Sequence, residues 1–454
     1  MDIAIALVVS FGALLAAVQQ GIPIVYPLLG TLALMAGVYR RRGVSRHVLW
    51  KFMGQGIQQS AGVISILLLI GVVVASWLLA GTVPALVYYG LQLIHPRWFL
   101  VSAFVLTGVV SVLLGTSFGS AGTIGLALMI MARGAGVHEH WAAGAIIAGA
   151  YIGDRCSPMS SSAHLVATVT GTDIYRNLRH MLVTGWAALA LSLVIYAVAS
   201  LQHPLSGVES GLVESIPASF SVHPMTLLPA GLLVALTLLR VPVRRTLIVS
   251  LASAIALALS VQARSVWGVL QTLLMGLHLP SSDPLSEIFQ GGGLVAMGKV
   301  CTVVLVSTGL AGLLSGMGTF NQLGRWLSRW AGGRGLFGGT LVAGTLTSAF
   351  GCTQTIAILL TQQIVQPLYV SSQASQEQLA VDIENSAVVL APLVPWNIAG
   401  LVPATVLLTD AGFVPYAVYL YLLPLLNWLF RAPTLRRAAV SSPPVTATPA
   451  RDTA

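Results

Sequence analysis

The chain has 454 residues, of which 56% are hydrophobic and 8% are charged, and its formal net charge is +9. A soluble domain carries about 25% charged residues, so this composition excludes a water-soluble fold. The basic residues fall between apolar runs and form no single patch, which argues against a nucleic-acid-binding protein. The three cysteines, Cys156, Cys301 and Cys352, lie in or beside apolar segments and predict no disulfide framework.

Apolar runs follow one another along the chain, and a helix that spans a membrane needs about 20 such residues. The N-terminus has no basic region and no cleavage site, so the first run is interpreted as a retained helix and not as a signal peptide. The runs predicted to span are Ile3 to Val18, Ile22 to Tyr39, Ala61 to Ile94, His140 to Thr170, Met181 to Leu201, Leu227 to Leu239, Thr246 to Val261, Lys299 to Leu314, Leu379 to Leu408 and Val414 to Phe430.

Most arginines lie in a few clusters between these runs, whereas the loop from Gln202 to Val222 has no Lys or Arg and contains Glu209 and Glu214. The positive-inside rule places the clusters and both termini in the cytoplasm. We expect the protein to lie in the inner (plasma) membrane. In this threading, residues 370–378 are cytoplasmic although they include no basic residue. The clusters are Arg40, Arg41, Arg42, Arg46 and Lys51; Arg176 and Arg179; Arg240, Arg244 and Arg245; Arg325, Arg329 and Arg334; and Arg431, Arg436, Arg437 and Arg451.

Two further segments are too long and too polar at their middle to be ordinary spans. Trp98 to Met131 has Gly, Ser and Thr residues clustered between Gly115 and Gly122, and Gly335 to Gln366 has a similar cluster between Thr347 and Thr355. If the first segment crossed the membrane, the arginines that follow it would lie outside. We therefore expect two re-entrant hairpins, of which the first opens outward and the second inward.

Each hairpin lies between two spans, so the chain contains two units with one plan and opposite orientation. An inverted repeat of this kind is common among secondary transporters. The predicted fold is an all-α polytopic membrane protein with about 10 transmembrane helices, two re-entrant hairpins and broken helices. It forms one transporter domain, divided into residues 1–60 (N-terminal helices and basic loop), 61–201 (first repeat), 202–298 (connecting helices and loops), 299–430 (second repeat) and 431–454 (disordered cytoplasmic tail).

The first unit contains a span that is interrupted by polar residues around Pro158. Proline lacks an N–H and serines compete for backbone hydrogen bonds, so the helix should break there. Broken backbone at membrane depth is permitted only where it is buried in protein or lines a cavity. An ionisable residue at that depth is costly and indicates function, so Asp154, with Ser157 and Ser160, is predicted to bind a cation or a proton. The alternative, an ion pair with the adjacent Arg155, is awkward because neighbours on a helix point about 100° apart.

The second unit has a matching interruption at Pro392 and Pro395. Glu384 and Asn385 precede this break and Asn397 follows it, and we predict that all three contribute to the ion site. The alternative for Glu384 is a position at the cytoplasmic start of a helix, where the helix dipole favours acidic residues. For Asp382 we prefer that second interpretation.

The hairpin tips supply further candidates, namely Thr116, Ser117 and Thr353. Small residues also serve close helix packing, so each hydroxyl has a structural alternative. Gly115 to Gly119 matches the G-x-S-x-G motif of serine hydrolases, but that motif needs a strand before its serine, and here the flanks are membrane helices. An intramembrane serine hydrolase is therefore the non-transporter alternative.

Three histidines are candidates for proton transfer or metal binding. His164 is either a proton carrier or a packed, hydrogen-bonded side chain. His138 and His140 lack the i, i+4 spacing of a helical zinc site and are interpreted as outer-loop residues.

Blocks of these residues resemble the NhaC family of bacterial sodium/proton antiporters. The blocks run from Ala61 to Leu408 and are Ala75-Ser76-Trp77 with Ala80-Gly81-Thr82-Val83-Pro84; Gly115-Thr116-Ser117 with Gly119, Ala121, Gly122, Thr123 and Gly125; Gly149-Ala150-Tyr151 with Gly153-Asp154 and Ser157-Pro158; Gly171-Thr172-Asp173; and Pro392-Leu393-Val394-Pro395-Trp396-Asn397.

The resemblance implies exchange of Na⁺ for H⁺, a two-repeat fold, and a homodimer that works by an elevator-like movement within membrane lipids. It implies no enzymatic activity and no cofactor beyond the transported ions. After Ser157-Pro158, many similar members have S-D-T-T-N where this chain has Ser160-Ser161-Ser162-Ala163-His164, so an aspartate and an asparagine are missing. The family also includes exchangers of organic acids, and a sodium- or proton-coupled exchanger of a small organic acid or amino acid, of malate/lactate type, is the main alternative.

Overall fold

The structure is a computed structural model that describes residues 3–93, 95–202, 211–239, 241–280, 285–286, 288–319 and 335–430. In these residues the regular structure is helical, apart from an isolated bridge between Leu277 and Gly291. The predicted all-α class is confirmed. The expectations about Glu209, Arg240, the cluster Arg325 to Arg334 and the tail 431–454 lie outside the described residues.

The α-helices are numbered here in chain order. Their bounds are α1 Ile3–Gln19, α2 Val25–Arg41, α3 Arg46–Gln59, α4 Ala61–Leu79, α5 Thr82–Leu93, α6 Phe99–Leu114, α7 Ser117–Ser120, α8 Leu126–Gly134, α9 Glu139–Cys156, α10 Ser161–Thr170, α11 Ile174–Gln202, α12 Gly211–Ser219, α13 Leu228–Leu238, α14 Val243–Ser260, α15 Val266–Met275, α16 Leu294–Gly316, α17 Leu336–Gly351, α18 Gln354–Ser371, α19 Gln376–Ile383, α20 Ile398–Val406 and α21 Val418–Phe430.

The observed helices correct two sequence-based boundaries. The run from Ala61 to Ile94 is not one span, because the chain turns at Gly81, whose φ of +74° favours glycine, and α5 starts as a new helix. The first basic cluster is not wholly a loop, because Arg46 and Lys51 lie on α3, which packs along α16. Ser45 caps the start of α3 by accepting a hydrogen bond from the backbone N–H of Val48.

Helix bounds recur along the chain at a constant shift. Helices begin at residues 99, 139 and 161 in the first unit and at residues 336, 376 and 398 in the second, a shift of 237 positions. Left-handed backbone also recurs at this shift, in the residue pairs Gly81/Gly318, Gly115/Cys352, Gly136/Gln373 and Gly171/Leu408. The two units therefore have the same sequence of helices, turns and breaks.

Equivalent positions of the two units also make equivalent contacts. The hydroxyl of Ser111 in α6 donates to the carbonyl of Ala150 in α9, and Ser348 in α17 donates to the carbonyl of Ala387 at 3.5 Å. Thr116 and Thr353 stand at the two hairpin tips, and each caps the helix that follows it. The shared plan thus extends from helix bounds to individual hydrogen bonds.

Three helices in the described part of the chain are long and apolar enough to cross a membrane, namely α4, α11 and α16. A fourth candidate is the bent pair of segments Gln376–Leu393 and Ile398–Val406, which meet at 52°. Several shorter apolar helices, among them α6, α17 and α21, accompany them. The chain is accordingly a polytopic membrane protein built largely from short and broken helices.

The protein surface has the apolar character of a membrane protein. On α11, large side chains are exposed along one side, including Leu182, Val183 and Trp186, each more than 60% exposed. Exposure of such a continuous apolar strip is unfavourable in water but favourable in contact with lipid.

Buried apolar side chains form two large clusters. One gathers residues of α4, α6, α8, α9 and α21, and the other gathers residues of α2, α16, α17 and α18. Because α9 belongs to the first cluster and α18 to the second, a residue that touches both helices lies where the two clusters meet.

Candidate functional site

The first broken helix is interrupted between the end of α9 and the start of α10. Ser157 is extended, Pro158 follows it, and Ser160 caps α10 by accepting a hydrogen bond from the N–H of Ala163 at 3.2 Å. The hydroxyls of Ser160 and Ser162 donate to the backbone carbonyl of Asp154, the second of these over 2.7 Å. The serines thus satisfy a carbonyl that the broken helix leaves without an intrahelical partner.

Asp154 lies in the last turn of α9, is 5% exposed, and has its carboxylate directed to polar groups. Its Oδ2 accepts hydrogen bonds from Gln354 Nε2 at 2.8 Å and from Ser162 Oγ at 3.3 Å. The hydroxyl and the backbone N–H of Ser117 also interact with this carboxylate. Hydrogen-bond donors from three separate segments therefore converge on Asp154.

Both hairpin tips reach the Asp154 carboxylate. Ser117 is the first residue of α7 at one tip, and Gln354 is the first residue of α18 at the other. These two residues are equivalent at the shift of 237. Each unit therefore places the first residue of the helix after its hairpin tip beside the same carboxylate. The starts of helices carry a positive partial charge, which favours an anion placed there.

The glycine at the first tip permits this approach. Gly115 has φ +67°, and a Cβ at that position would overlap the backbone of Met159 in the break. The tip is thus seated directly on the interrupted segment. At the second tip, the carbonyl of Cys352 accepts a hydrogen bond from the N–H of Ile398 at 2.9 Å, so that tip contacts the second break in a similar way.

Several of the predicted site residues make structural contacts in this arrangement. Thr116 and Thr353 cap α7 and α18, accepting hydrogen bonds from the N–H groups of Gly119 and Ile356. Ser157 donates to the carbonyl of Val112 in α6 at 2.7 Å. These three side chains hold the tips and the break in place, and no contact joins them directly to Asp154 in the described residues.

Arg155 is fully buried and points away from Asp154, as the helix geometry predicts. Its Nε donates to Asn385 Oδ1 at 3.0 Å, its Nη2 donates to the carbonyl of Met181 at 2.9 Å, and Nη2 also reaches Thr184 Oγ1 at 3.1 Å. Nη1 contacts the hydroxyl of Tyr419 at 3.3 Å. The guanidinium is thereby held by neutral acceptors from α11, from α21 and from the second broken segment.

Glu384 and Asn385 begin a π-helical turn, Glu384–Val388, that follows α19. Asn385 accepts from Arg155 and donates to Thr184 Oγ1 at 3.2 Å and to Asn427 Oδ1 at 3.3 Å. Glu384 is completely buried, and neither carboxylate oxygen has a hydrogen-bond partner among the described residues. The structure therefore places Asn385 in the Arg155 network and leaves Glu384 beside it without a bond.

The second break is rigidly tied to α17. Asn397 donates from Nδ2 to the carbonyl of Ser348 at 2.7 Å and caps α20 through the N–H of Ala399, and Trp396 Nε1 donates to the carbonyl of Ala349. The sequence predicted Asn397 as an ion-site residue, but in this structure both ends of its amide are hydrogen-bonded to backbone groups.

The interpretation of Asp382 as a helix-start residue is wrong. α19 begins at Gln376, Glu377 is the acidic residue of its first turn, and Asp382 lies further along the helix and is fully buried. Its Oδ2 accepts a hydrogen bond from the hydroxyl of Tyr369 at 2.7 Å, and Tyr369 in turn contacts Thr340. The sequence offered no signal for this long-range partner.

The histidines lie away from the carboxylate. His164 is exposed, and its Nε2 is 3.0 Å from the carbonyl of Pro158. His140 forms a 2.9 Å contact with Asp410, and His138 packs against Tyr416. Within the described residues, no group of three or more His, Cys, Asp or Glu side chains could hold a resident metal ion.

Chemically, the surroundings of Asp154 suit a small hard cation or a proton. A carboxylate, the hydroxyls of Ser117 and Ser162 and nearby carbonyls are oxygen ligands of the type that hard cations prefer. Gln354 Nε2 also donates to the carbonyl of Val388 at 3.2 Å, and a half-turn of its amide would present an oxygen to the same place.

The sequence profile described as "Na+/H+ antiporter family" matches residues 149–430, which include both breaks. The Na(+)/H(+) antiporter NhaC of Alkalihalophilus pseudofirmus is 30% identical over 423 residues, covering 91% of this chain and 90% of the relative.

Two other similar proteins are named for different activities. The malate-2H(+)/Na(+)-lactate antiporter of Bacillus subtilis is 26% identical over 85% of this chain and 83% of its own length. The arginine/ornithine antiporter ArcD of Halobacterium salinarum is 27% identical over 90% of this chain and 86% of its own length. Similarity thus extends to exchangers whose names specify organic substrates.

Proposed function

The chain belongs to the Na+/H+ antiporter family, and on that premise we propose that it exchanges sodium ions for protons across the membrane at the site built around Asp154. The observation that carries the proposal is the convergence of both hairpin tips, through Ser117 and Gln354, on one buried carboxylate. A carboxylate that binds either Na⁺ or H⁺, but not both at once, makes the two ions compete. Competition for one site is the simplest chemistry of exchange.

Sodium and protons are cargo in this mechanism. With Na⁺ bound, Asp154 is ionised, and the hydroxyls of Ser117 and Ser162 supply further oxygen ligands. With H⁺ bound, the carboxyl is neutral and donates or accepts hydrogen bonds within the same ring of polar groups. In both forms the net charge of the carboxylate and its ion is zero, which lowers the cost of moving it through an apolar environment.

The two units form an inverted repeat in this proposal, with one hairpin open to each side of the membrane. Support comes from the shared helix plan at a shift of 237 and from the meeting of the tips at Asp154. Movement of one unit relative to the other would then expose the site alternately to the two sides. We further propose a homodimer in the inner membrane, in contact with lipid and with cytoplasmic termini.

An exchanger of organic acids or amino acids would need a buried positive side chain that is free to bind the carboxylate of its substrate. Arg155 is the buried guanidinium nearest to the site in sequence, but its donors are already bound to Asn385, Met181, Thr184 and Tyr419. Sodium and protons therefore fit the site better than a carboxylate substrate does.

The proposal is tested with purified protein in proteoliposomes that contain a pH-sensitive dye. An imposed sodium gradient should drive proton movement in the opposite direction, and Asp154→Asn should abolish that movement while membrane insertion is retained, because an amide binds neither H⁺ nor Na⁺ as a carboxylate does. Wild-type protein that moves no protons on addition of sodium, or an Asp154→Asn variant with wild-type rates, would refute it. Glu377→Gln, on the partly exposed first turn of α19, is the matched control.

A further inference from the structure

Glu384 is a buried charged side chain that the exchange at Asp154 does not use. It is 0% exposed, and both of its carboxylate oxygens lack a hydrogen-bond partner among the described residues. A buried carboxylate without partners is costly, so its presence requires an explanation beyond packing. It also begins a π-helical turn, a feature that is rare in helices and frequent at functional sites.

The position of Glu384 is not equivalent to that of Asp154 in the repeat. At the shift of 237, Glu384 corresponds to Ile147 and Asp154 corresponds to Ala391, so each carboxylate has an apolar counterpart in the other unit. Asp154 lies three residues before its break, whereas Glu384 lies ten residues before Val394. The two carboxylates are thus placed at different depths along their broken helices.

Titratable and charged groups lie on several elements around Glu384, and α18 and α19, which pack against its π-helical turn, carry Tyr369 and Asp382. α9 supplies Asp154, Arg155 and Cys156, and α21 supplies Tyr419. α17, which packs against the π-helical turn, has no titratable side chain. Arg155 is the nearest positive charge, yet it is bound to neutral acceptors, and no carboxylate of the described residues lies within ion-pair distance of it.

These surroundings differ from those of Asp154 in the ion they accept. The Asp154 carboxylate is surrounded by hydroxyls and carbonyls, which suit Na⁺. Glu384 has instead a fixed guanidinium nearby and no hydroxyl or carbonyl bonded to it, so a sodium ion there would be repelled and poorly coordinated. A proton needs no coordination shell and neutralises the carboxylate directly.

We propose that Glu384 is a second ion site, separate from Asp154, which carries a proton and excludes sodium because of the fixed positive charge of Arg155. This inference rests on the proposed sodium/proton exchange and deepens it. Sodium and one proton compete at Asp154, and Glu384 carries a further proton in each cycle. A protein without a titratable group at position 384 therefore still exchanges sodium for protons at Asp154 but moves fewer protons for each sodium ion.

The test measures two fluxes in the same proteoliposomes, namely sodium-driven proton movement and exchange of radioactive sodium at equal sodium concentrations on both sides. Glu384→Gln should retain both fluxes but move fewer protons for each sodium ion than the wild type, whereas Asp154→Asn should lose both fluxes and Glu377→Gln should keep the wild-type ratio. An unchanged number of protons per sodium ion in Glu384→Gln, or loss of both fluxes in a correctly inserted protein, would overturn the inference. Wild-type protein that lacks both fluxes would instead refute the proposed function itself.

A measurement on the wild type covers the case in which Glu384→Gln does not fold. Dicyclohexylcarbodiimide modifies protonated carboxyls in apolar surroundings, and mass spectrometry of the digested protein locates the modified residue. Saturating sodium should protect Asp154 from modification and leave Glu384 reactive. Protection of Glu384 by sodium, or absence of its modification at low pH, would overturn the proton-only assignment.

Discussion

Asp154 depends on the serines that follow it in two ways. Ser160 and Ser162 donate to its backbone carbonyl, which the break leaves exposed, and Ser162 also donates to its carboxylate. The same hydroxyls that stabilise the interrupted backbone therefore form one side of the ion site.

The sequence indicated Asp154, Ser117 and Ser160 because each lies in or beside a helix interruption that composition reveals. It did not indicate Gln354, since the hydrogen bond from Gln354 joins residues 200 positions apart and exists only after folding. The signal that could have found Gln354 is its equivalence to Ser117 at the shift of 237. Asp382 was misassigned for the same reason, because its partner Tyr369 belongs to another helix.

We predict that Ser117 contributes to sodium binding and is not a nucleophile. It interacts with Asp154 and Tyr151, and no histidine contacts it in the described residues, so it lacks the base that a hydrolase nucleophile requires. A fluorophosphonate probe should not label the wild-type protein. Ser117→Ala should weaken the apparent sodium affinity by roughly fivefold, the equivalent of about 1 kcal/mol for one polar contact. Covalent labelling that disappears in Ser117→Ala would revive the hydrolase interpretation.

The broken helices are stabilised by neighbouring helices that approach them closely. α9 packs along α6 through glycines, and a Cβ at Gly149 or Gly153 would overlap the backbone of Phe104 or Ser111. Small residues at such spacing let membrane helices come together without a hydrophobic driving force. The sequence predicted both breaks but not which helix supports each, because several glycine-containing helices could have filled that place.

This packing predicts the effect of a single methyl group. Gly153→Ala should force α6 and α9 apart, because the neighbouring atoms belong to the backbone of Ser111 and cannot rotate away. We expect a destabilisation of about 1–3 kcal/mol, typical of overpacking, together with reduced exchange, since Asp154 follows directly in the chain. Thermal unfolding of the purified protein measures the first effect and proteoliposome flux the second.

Gly62→Ala is the matched control within α4. A Cβ at Gly62 would meet no atom within 4 Å, so alanine should leave the unfolding temperature unchanged or raise it, given its higher helix propensity. Equal unfolding temperatures for Gly153→Ala and the wild type would show that the α6–α9 contact is looser than the structure indicates.

For the whole molecule, hydropathy and charge were sufficient to predict a polytopic membrane fold with two similar units. They were insufficient to fix the helix bounds, because breaks and left-handed turns such as those at Gly81 and Cys352 leave no strong trace in apolar sequence. The constant shift of 237 residues is evident in the helix bounds and not in the hydropathy pattern. It identifies pairs of equivalent residues, and these pairs allow a direct test of orientation.

His138 and Ser375 are such a pair, since each is exposed and immediately precedes a broken helix. In an inverted repeat they lie on opposite sides of the membrane, whereas in a parallel repeat they lie on the same side. An impermeant thiol reagent added outside should therefore modify His138→Cys and Trp98→Cys but not Ser375→Cys or Ser371→Cys. Permeabilised membranes, in which all four should react, control for reactivity.

The labelling experiment needs a protein without its native cysteines, and the repeat suggests the substitution for one of them. Cys352 has φ +57°, and its equivalent is Gly115, so Cys352→Gly should preserve the left-handed turn at the second tip. Cys156→Ala and Cys301→Ala complete the background, and sodium-driven proton flux verifies that it functions. External modification of Ser375→Cys in intact cells would mean that the second unit has the same orientation as the first. The inverted repeat, and with it alternating access by two opposed hairpins, would then be wrong.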